Sequence, residues 1–217
     1  MADMTGFNPT QAQAEIDRLG EELYKSLETF IDSSVSFFGA LGDAWYSPKA
    51  VEFFNYSSPV LVDLQLTYLK MADIIIKNSV AAYNVLAKAN DCGTIESNAS
   101  YCIIPEGAYT DVEAGIWDEG PNGEVGMNTL LVKASILPKF KESITKFLNG
   151  LDSLPLDIGF YDPAGELKAR FKEMVVKFKE HATSKTNDIV VKIETLMTTE
   201  VENIEIAKNA AAETLSA

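Results

Sequence analysis

The sequence predicts an all-α fold in which two tandem long helical hairpins form an elongated four-helix bundle, with an irregular or small β insert between them. Three observations lead to this prediction. Apolar residues recur every three or four positions over long stretches. A proline follows a helix-capping residue at two turns between predicted helices. Glycine, proline and acidic residues concentrate in a single segment. The predicted domains are a first hairpin over 1–91, an acidic Gly-rich insert over 92–126 and a second hairpin over 127–217.

The first helix is predicted to begin at Pro9 and to end at Leu41-Gly42. Asn8 can accept a hydrogen bond from the free N–H groups of the first turn, and proline at the first helical position loses no needed donor. Glycine can adopt the left-handed conformation that closes a helix. The helical spacing is carried by Ile16, Leu19, Leu23, Leu27, Phe30, Phe37 and Leu41, with Ser34 in the one gap.

The second helix is predicted from Ser47-Pro48 to about Asn90, with a kink expected at Pro59. Tyr46 is placed to pack onto the following turn of this helix. A tryptophan at the tip of a hairpin usually covers the end of the core. We therefore expect Trp45 to cover the bundle while its indole stays partly exposed.

The insert contains no Lys or Arg, and its glycines and prolines make a helix implausible. Residues 100–104 and 112–117 form either a small β-hairpin or an ordered loop, and Asn122-Gly123 is suited to turn a second hairpin. Cys92 and Cys102 lie in this same segment, ten positions apart. They are close enough in the chain for a small-loop disulfide in an oxidising medium, and two reduced thiols are the alternative.

The second hairpin is predicted to begin with a helix from about Asn128 to Asn149-Gly150, which Pro138 should bend or restart. The last helix is predicted to open at Asp162-Pro163 and to run almost to the C-terminus. Its stripe consists of Leu167, Phe171, Val175, Phe178, Ala182, Ile189, Ile193, Met197, Val201 and Ile204.

The two inter-helix turns share one sequence pattern. The segment Trp45-Tyr46-Ser47-Pro48 matches Phe160-Tyr161-Asp162-Pro163 as aromatic residue, Tyr, cap and Pro. Each turn also stands between a shorter and a longer predicted helix, so the whole hairpin repeats. One amphipathic hairpin cannot cover its own apolar stripe, whereas two can.

Composition and motifs argue against several functions. The 217 residues are 47% hydrophobic, which is ample for a core, and 32 acidic against 18 basic residues give a net charge of −14. Such a charge repels phosphate backbones and anionic lipids, so we expect no nucleic-acid partner. No apolar run is long enough to cross a bilayer, and the N-terminus lacks the basic start and apolar stretch of a cleaved signal peptide.

We expect no enzyme, no cofactor and no metal site. His181 is the single histidine and lies among lysines, which favours a solvated surface side chain. No nucleophile-elbow, phosphate-loop, dinucleotide or zinc-protease motif is present. The insert lacks the alternating spacing of a calcium loop, which favours a solvated acidic surface for its carboxylates, namely Asp111, Glu113, Asp118, Glu119 and Glu124.

The pattern Trp45-x-Ser47-x-x-Ala50-x-x-Phe53 resembles the WXG family, small helical-hairpin proteins exported by type VII secretion systems of Gram-positive bacteria. In that family a Trp followed two residues later by Gly or Ser makes the hairpin turn, and the hairpins pair into antiparallel four-helix bundles. Phe160 and Asp162 stand at the corresponding positions of the second hairpin.

The resemblance implies a tandem of two such hairpins, a pseudo-dimer within one chain that leaves homo-oligomers open. It implies a protein that is cytoplasmic before export and then secreted or held at the cell surface, with the type VII machinery or another helical protein as partner. A membrane-acting helical toxin and a structural bundle of a phage or cytosolic complex are the alternatives. The insert argues against the toxin hypothesis, because it is acidic and its apolar runs are too short to cross a bilayer.

Overall fold

The structure, a computed structural model, describes residues 5–98 and 114–216 and confirms the all-α fold with a small β component. The helices are α1 (Pro9–Gly42), α2 (Pro48–Ala89), α3 (Thr129–Leu131), α4 (Leu137–Asp152) and α5 (Glu166–Ser216). A π-helical turn, Val132–Ile136, joins α3 to α4 without a break. The strands are two residues long each: β1 (Gly6–Phe7), β2 (Trp45–Tyr46), β3 (Gly126–Met127) and β4 (Phe160–Tyr161).

Side-chain caps set the starts of three helices, at Asn8 and Ser47 as predicted and also at Asn128. The Asn8 Oδ1 atom accepts from the Gln11 N–H at 3.1 Å, and the Ser47 Oγ atom accepts from the Ala50 N–H at 3.1 Å. The Asn128 Oδ1 atom accepts from the Leu131 N–H at 3.0 Å. Each cap satisfies one of the N–H groups that have no partner within the first helical turn.

The last helix begins three residues later than the proline position in the predicted opening, at Glu166. Gly165 adopts a φ of +71°, which lies outside the helical region and sets the helix start after it. The Asp162 carboxylate still accepts from the N–H groups of Ala164 and Leu167, at 3.1 and 2.7 Å. Asp162 therefore stabilises both the turn ahead of the helix and the first turn of the helix itself.

The two helix-internal prolines have different consequences. Before Pro138, where a bend or a restart was predicted, the helix continues through a π-helical turn in which the Leu137 N–H donates to the Val132 carbonyl five residues back. Pro138 itself has no N–H with which to continue an α-helical ladder. At Pro59, by contrast, α2 continues as one helix. The third helical stretch then ends at Asp152, two residues beyond the predicted Asn149-Gly150.

The chain forms two compact units, and each takes helical segments from both predicted hairpins. Unit 1 comprises Met1–Thr29, Leu66–Ile103 and Phe147–Ser184. Unit 2 comprises Phe30–Gln65, Ile104–Lys146 and Lys185–Ala217. These units group residues by contact in space, whereas the predicted domains 1–91, 92–126 and 127–217 follow the order of the chain.

The core of unit 1 surrounds Tyr68, which is fully buried. Its ring lies 6.2 Å from Phe147 in a stacked arrangement and 6.2 Å from Phe178 edge to face. Its hydroxyl donates to the Ala182 carbonyl at 2.8 Å, so the buried polar atom has a partner.

The core of unit 2 is built around phenylalanines. Phe37 stacks on Phe140 with the ring centres 4.3 Å apart. Ser34, the gap in the apolar stripe of α1, is fully buried and accepts from the Gln65 side chain at 3.0 Å. The Ser34 hydroxyl donates in turn to the Phe30 carbonyl at 3.0 Å. The gap in the apolar stripe therefore corresponds to a buried polar pair.

The described part of the insert contains the predicted turn but not the second hairpin. The Gly120 N–H donates to the Glu124 carbonyl at 2.7 Å, and Gly123 has a φ of +80°. The strand that follows, β3, pairs with Trp45–Tyr46 and not with a neighbouring strand of the insert. Residues 100–104 and the first two of 112–117 lie outside the described residues.

Candidate functional site

Each strand pair joins an inter-helix turn to the residues that precede a helix cap. In unit 2, Trp45 lies opposite Met127 and Tyr46 lies opposite Gly126. In unit 1, Phe160 lies opposite Phe7 and Tyr161 lies opposite Gly6. In both pairs an apolar residue faces the aromatic residue of the turn, and a glycine faces the tyrosine.

The partners of these turns form a second repeated pattern. Gly6-Phe7-Asn8 and Gly126-Met127-Asn128 both read glycine, apolar residue and capping asparagine. This second pattern was not predicted, although a comparison of the residues before the two caps would have found it. Each hairpin thus gives its leading strand to the turn of the other hairpin. Such reciprocity is the property of an isologous dimer interface, here within one chain.

The indole of Trp45 is buried, with 1% of the residue exposed, so the expectation of a partly exposed ring is wrong. The strand β3 pairs along the Trp45 backbone, and the ring packs 5.8 Å from the ring of Phe53. Ala50 and Phe53 of the same motif are also buried. Trp45 is therefore part of the core of unit 2.

The backbone around Trp45 is held from two directions. The Asn128 N–H donates to the Ala44 carbonyl at 2.8 Å, and the Ser47 N–H donates to the Trp117 carbonyl at 3.1 Å. A Cβ atom at Gly42 would lie 2.4 Å from the carbonyl oxygen of Gly115. Glycine at position 42 therefore lets the end of the insert approach the turn closely.

The corresponding turn in unit 1 has a polar anchor. Phe160 is buried and stacks on Tyr83 at 4.3 Å. The Tyr83 hydroxyl donates to the Glu15 carboxylate at 3.1 Å, and the Gly159 N–H donates to the same carboxylate. Burial raises the pKa of Tyr83 far above its usual range, and the negative charge of Glu15 raises it further. Tyr83 therefore remains a protonated donor.

The six predicted motif residues lie in two places. Trp45, Ser47, Ala50 and Phe53 come together in unit 2, whereas Phe160 and Asp162 belong to the turn in unit 1. Four of the six are buried, and the other two cap or precede a helix. The motif thus builds the turns.

Several exposed apolar side chains of unit 2 follow β3, bond to the Trp45 turn or share a cavity with its helices, and we call them the Trp45-side surface. Leu130, three residues after β3, is 75% exposed. Trp117, whose carbonyl accepts from Ser47, is 45% exposed. The surface consists of Tyr56, Trp117, Leu130, Leu131 and Leu196. Trp117 could have been suspected from sequence, since it is an aromatic residue in an otherwise acidic and Gly-rich stretch.

Shallow cavities lie between these side chains. Tyr56 and Leu196 line one of about 220 Å³ together with Phe53. Leu131 lines another of about 240 Å³ beside Phe37. Exposed apolar groups next to concave surface are typical of places where another protein binds.

The single histidine and possible clusters of metal ligands are the other candidates for a functional site. His181 is exposed, as predicted, and lies 6.4 Å from the ring of Tyr68. In the described ranges no three His, Cys, Asp or Glu side chains are grouped as metal ligands. No helix in those ranges is long and apolar enough to span a membrane.

Of the cysteines and carboxylates singled out in the insert, some lie outside the residues that the structure describes. Cys92 is exposed, and its sulfur lies 3.4 Å from the Ala87 carbonyl oxygen. Cys102 lies in the undescribed segment, so the disulfide remains a prediction. Asp111 and Glu113 lie there too, whereas Asp118, Glu119 and Glu124 are described and exposed.

Comparison of the chain with protein-family models, curated proteins and solved structures finds no match.

Proposed function

We propose that this chain is a secreted, non-enzymatic helical protein of a Gram-positive type VII secretion system that acts by binding other proteins. The observation that carries the proposal is the reciprocal pairing of turns and leading strands between the two hairpins. WXG-like hairpins work as dimers, and a tandem chain with reciprocal contacts supplies both hairpins at once.

The contact with a partner is assigned to the Trp45-side surface. Trp45 and Phe53 are buried and give the turn a fixed geometry. Trp117, which is bonded to Ser47 of the turn, and Leu130, three residues after β3, are exposed. A rigid turn flanked by exposed apolar anchors is suited to bind an export component or another helical protein.

Export dependence tests the proposal. The chain is expressed in a Gram-positive host with a type VII system and in the same host without the secretion ATPase. We expect the protein in the medium of the first strain only, with a cytosolic marker enzyme reporting cell lysis in both. Equal amounts in the two media, or retention in both cell pellets, would contradict the proposal.

A further inference from the structure

Residues 93–98, which we call the strap, lie without helix or strand structure against α1 and α2 in unit 1. Ile95 is buried, while the other five residues of the strap are exposed. The strap therefore rests on the helices through one apolar side chain and its polar backbone.

Three helix side chains bind the strap through its backbone. The Asn84 amide donates to the Ile95 carbonyl at 3.0 Å, and its oxygen accepts from the Ile95 N–H at 2.8 Å. The Gln13 amide donates to the Glu96 carbonyl and accepts from the Glu96 N–H at 3.3 Å. Each of these two side-chain amides bonds both the N–H and the carbonyl of one strap residue, as the backbone of a neighbouring strand would.

Asp17 binds the far end of the strap. Its carboxylate accepts from the Asn98 N–H at 2.7 Å and from the Asn98 side-chain amide at 3.3 Å. The Gln13 side chain also donates to the Asp17 carboxylate at 3.1 Å, which fixes these two side chains relative to each other. The position of Asn98 thus favours a side chain that can donate.

Most of this recognition is independent of sequence, because every residue other than proline carries the backbone groups that Asn84 and Gln13 bind. The groove between α1 and α2 that holds the strap selects side chains at two positions. It requires an aliphatic side chain at the position of Ile95 and a hydrogen-bond donor three residues later. It also has room beside the strap. A cavity of about 460 Å³ lies along Ser97 and is lined by Tyr24 and Ile76, and one of about 550 Å³ lies along Thr94.

We propose that this α1–α2 groove is a receptor for an extended segment of a partner protein, with an aliphatic residue followed three positions later by a donor such as Asn. The strap is its resident occupant and competes with the partner. An attached competitor acts at an effective concentration of about millimolar, so the partner binds well only when the strap is released or outcompeted. This surface is distinct from the Trp45-side surface.

A peptide test uses the full-length chain. The probe is a fluorescein-labelled, end-capped peptide Gly-Thr-Ile-Glu-Ser-Asn, the sequence of the strap. The variant Ile95→Ser removes the apolar anchor of the strap. We expect this variant to bind the probe at least about tenfold more tightly than the natural chain by fluorescence anisotropy, because the internal competitor is weakened.

Two matched changes decide whether binding uses the proposed contacts. Adding Asn84→Ala to Ile95→Ser should weaken binding at least about tenfold, the size of one lost bidentate contact. Adding Asn90→Ala should leave binding unchanged, since Asn90 is exposed and, among the described residues, its side chain donates to the Leu86 carbonyl within the same helix end. A probe with Asp in place of its Ile should not bind.

The proposal is overturned if a folded Ile95→Ser chain binds no probe at millimolar concentration, or binds the Asp probe equally well. If circular dichroism shows this variant unfolded, nuclear magnetic resonance of the natural chain replaces it. Millimolar probe should then shift the side-chain amide signals of Asn84 and Gln13. Unshifted signals would equally overturn the proposal.

Discussion

Two buried tyrosines of α2 donate hydrogen bonds within unit 1. Tyr83 donates to a carboxylate, whereas Tyr68 donates to a neutral backbone carbonyl. Hydrogen bonds to charged groups contribute about 1.5–3 kcal/mol, against about 0.5–1.5 kcal/mol for neutral ones. The two tyrosines therefore allow a hydrogen bond to a charged acceptor to be compared with one to a neutral acceptor.

Tyr83→Phe should lower the free energy of unfolding by about 1.5–3 kcal/mol, more than Tyr68→Phe. The folded pKa of Tyr83 is raised, so its contribution is complete below the unfolded value of about 10 and is lost as the pH rises through the folded value. The difference between the natural chain and Tyr83→Phe should thus shrink above about pH 10. Urea unfolding at several pH values measures the loss of stability and its dependence on pH. A difference in the free energy of unfolding between the natural chain and Tyr83→Phe that stays constant above about pH 10 would contradict the expected pH dependence.

Trp45→Ala should lower the free energy of unfolding by about 3–5 kcal/mol, as for other buried aromatic residues replaced by alanine. The buried position of the indole is the reason, since a partly exposed ring would contribute less. Trp117→Ala is the matched control, and we expect it to cost below about 1 kcal/mol because the residue is half exposed. Similar costs for both variants in denaturant unfolding would contradict this assignment.

Leu130→Glu should abolish export or partner binding while the melting temperature changes little. The side chain is 75% exposed, so a charge there disturbs a docked partner more than it disturbs the core. Val85→Glu is the control, because Val85 is 69% exposed but belongs to unit 1. Loss of export in both variants, or in neither, would remove the Trp45-side surface as the docking site.

The helices could be predicted because their signals are local. Asn8, Ser47 and Asn128 each bond within three residues of their own position, so a short window of sequence contains the whole cause. The strands could not be predicted, since two residues give no periodicity and the partner of Trp45 lies in the other hairpin. The burial of Trp45 was missed for the same reason.

The strap is another element whose contacts are distant in sequence, and it should respond to acid through Asp17. Burial alone would raise the pKa of the Asp17 carboxyl, but hydrogen bonds from Asn98 and Gln13 outweigh it and place the pKa below its usual value. The stabilisation is therefore present above the usual value and is lost as the pH falls through the folded one.

We expect amide hydrogen exchange at Asn98, corrected for its intrinsic pH dependence, to become faster as the pH falls below the usual carboxyl range. Asp17→Asn should remove this dependence, because the amide does not titrate. The Ile95 amide, held by neutral Asn84, is the internal reference and should change less. A corrected rate at Asn98 that stays constant with pH would exclude Asp17 as the acid-sensitive contact.

At the scale of the whole molecule, both strand pairs are formed within one chain. Each turn between two helices thereby has its strand partner within the same chain. We expect a monomer of 23.7 kDa in light scattering at micromolar concentration. A mass that doubles as the concentration rises would mean that a further self-association surface exists.

The reciprocal pairing also frees the chain from a restriction on homodimers. When two identical chains pair, every mutation appears twice, and a residue useful at one turn must be tolerated at the other. In a tandem chain the turns can diverge independently. Here one turn is built on a buried indole beside exposed leucines, while the other is fastened by a tyrosine and a glutamate. Joining the hairpins thus allows one protein to carry two turns that differ in their construction.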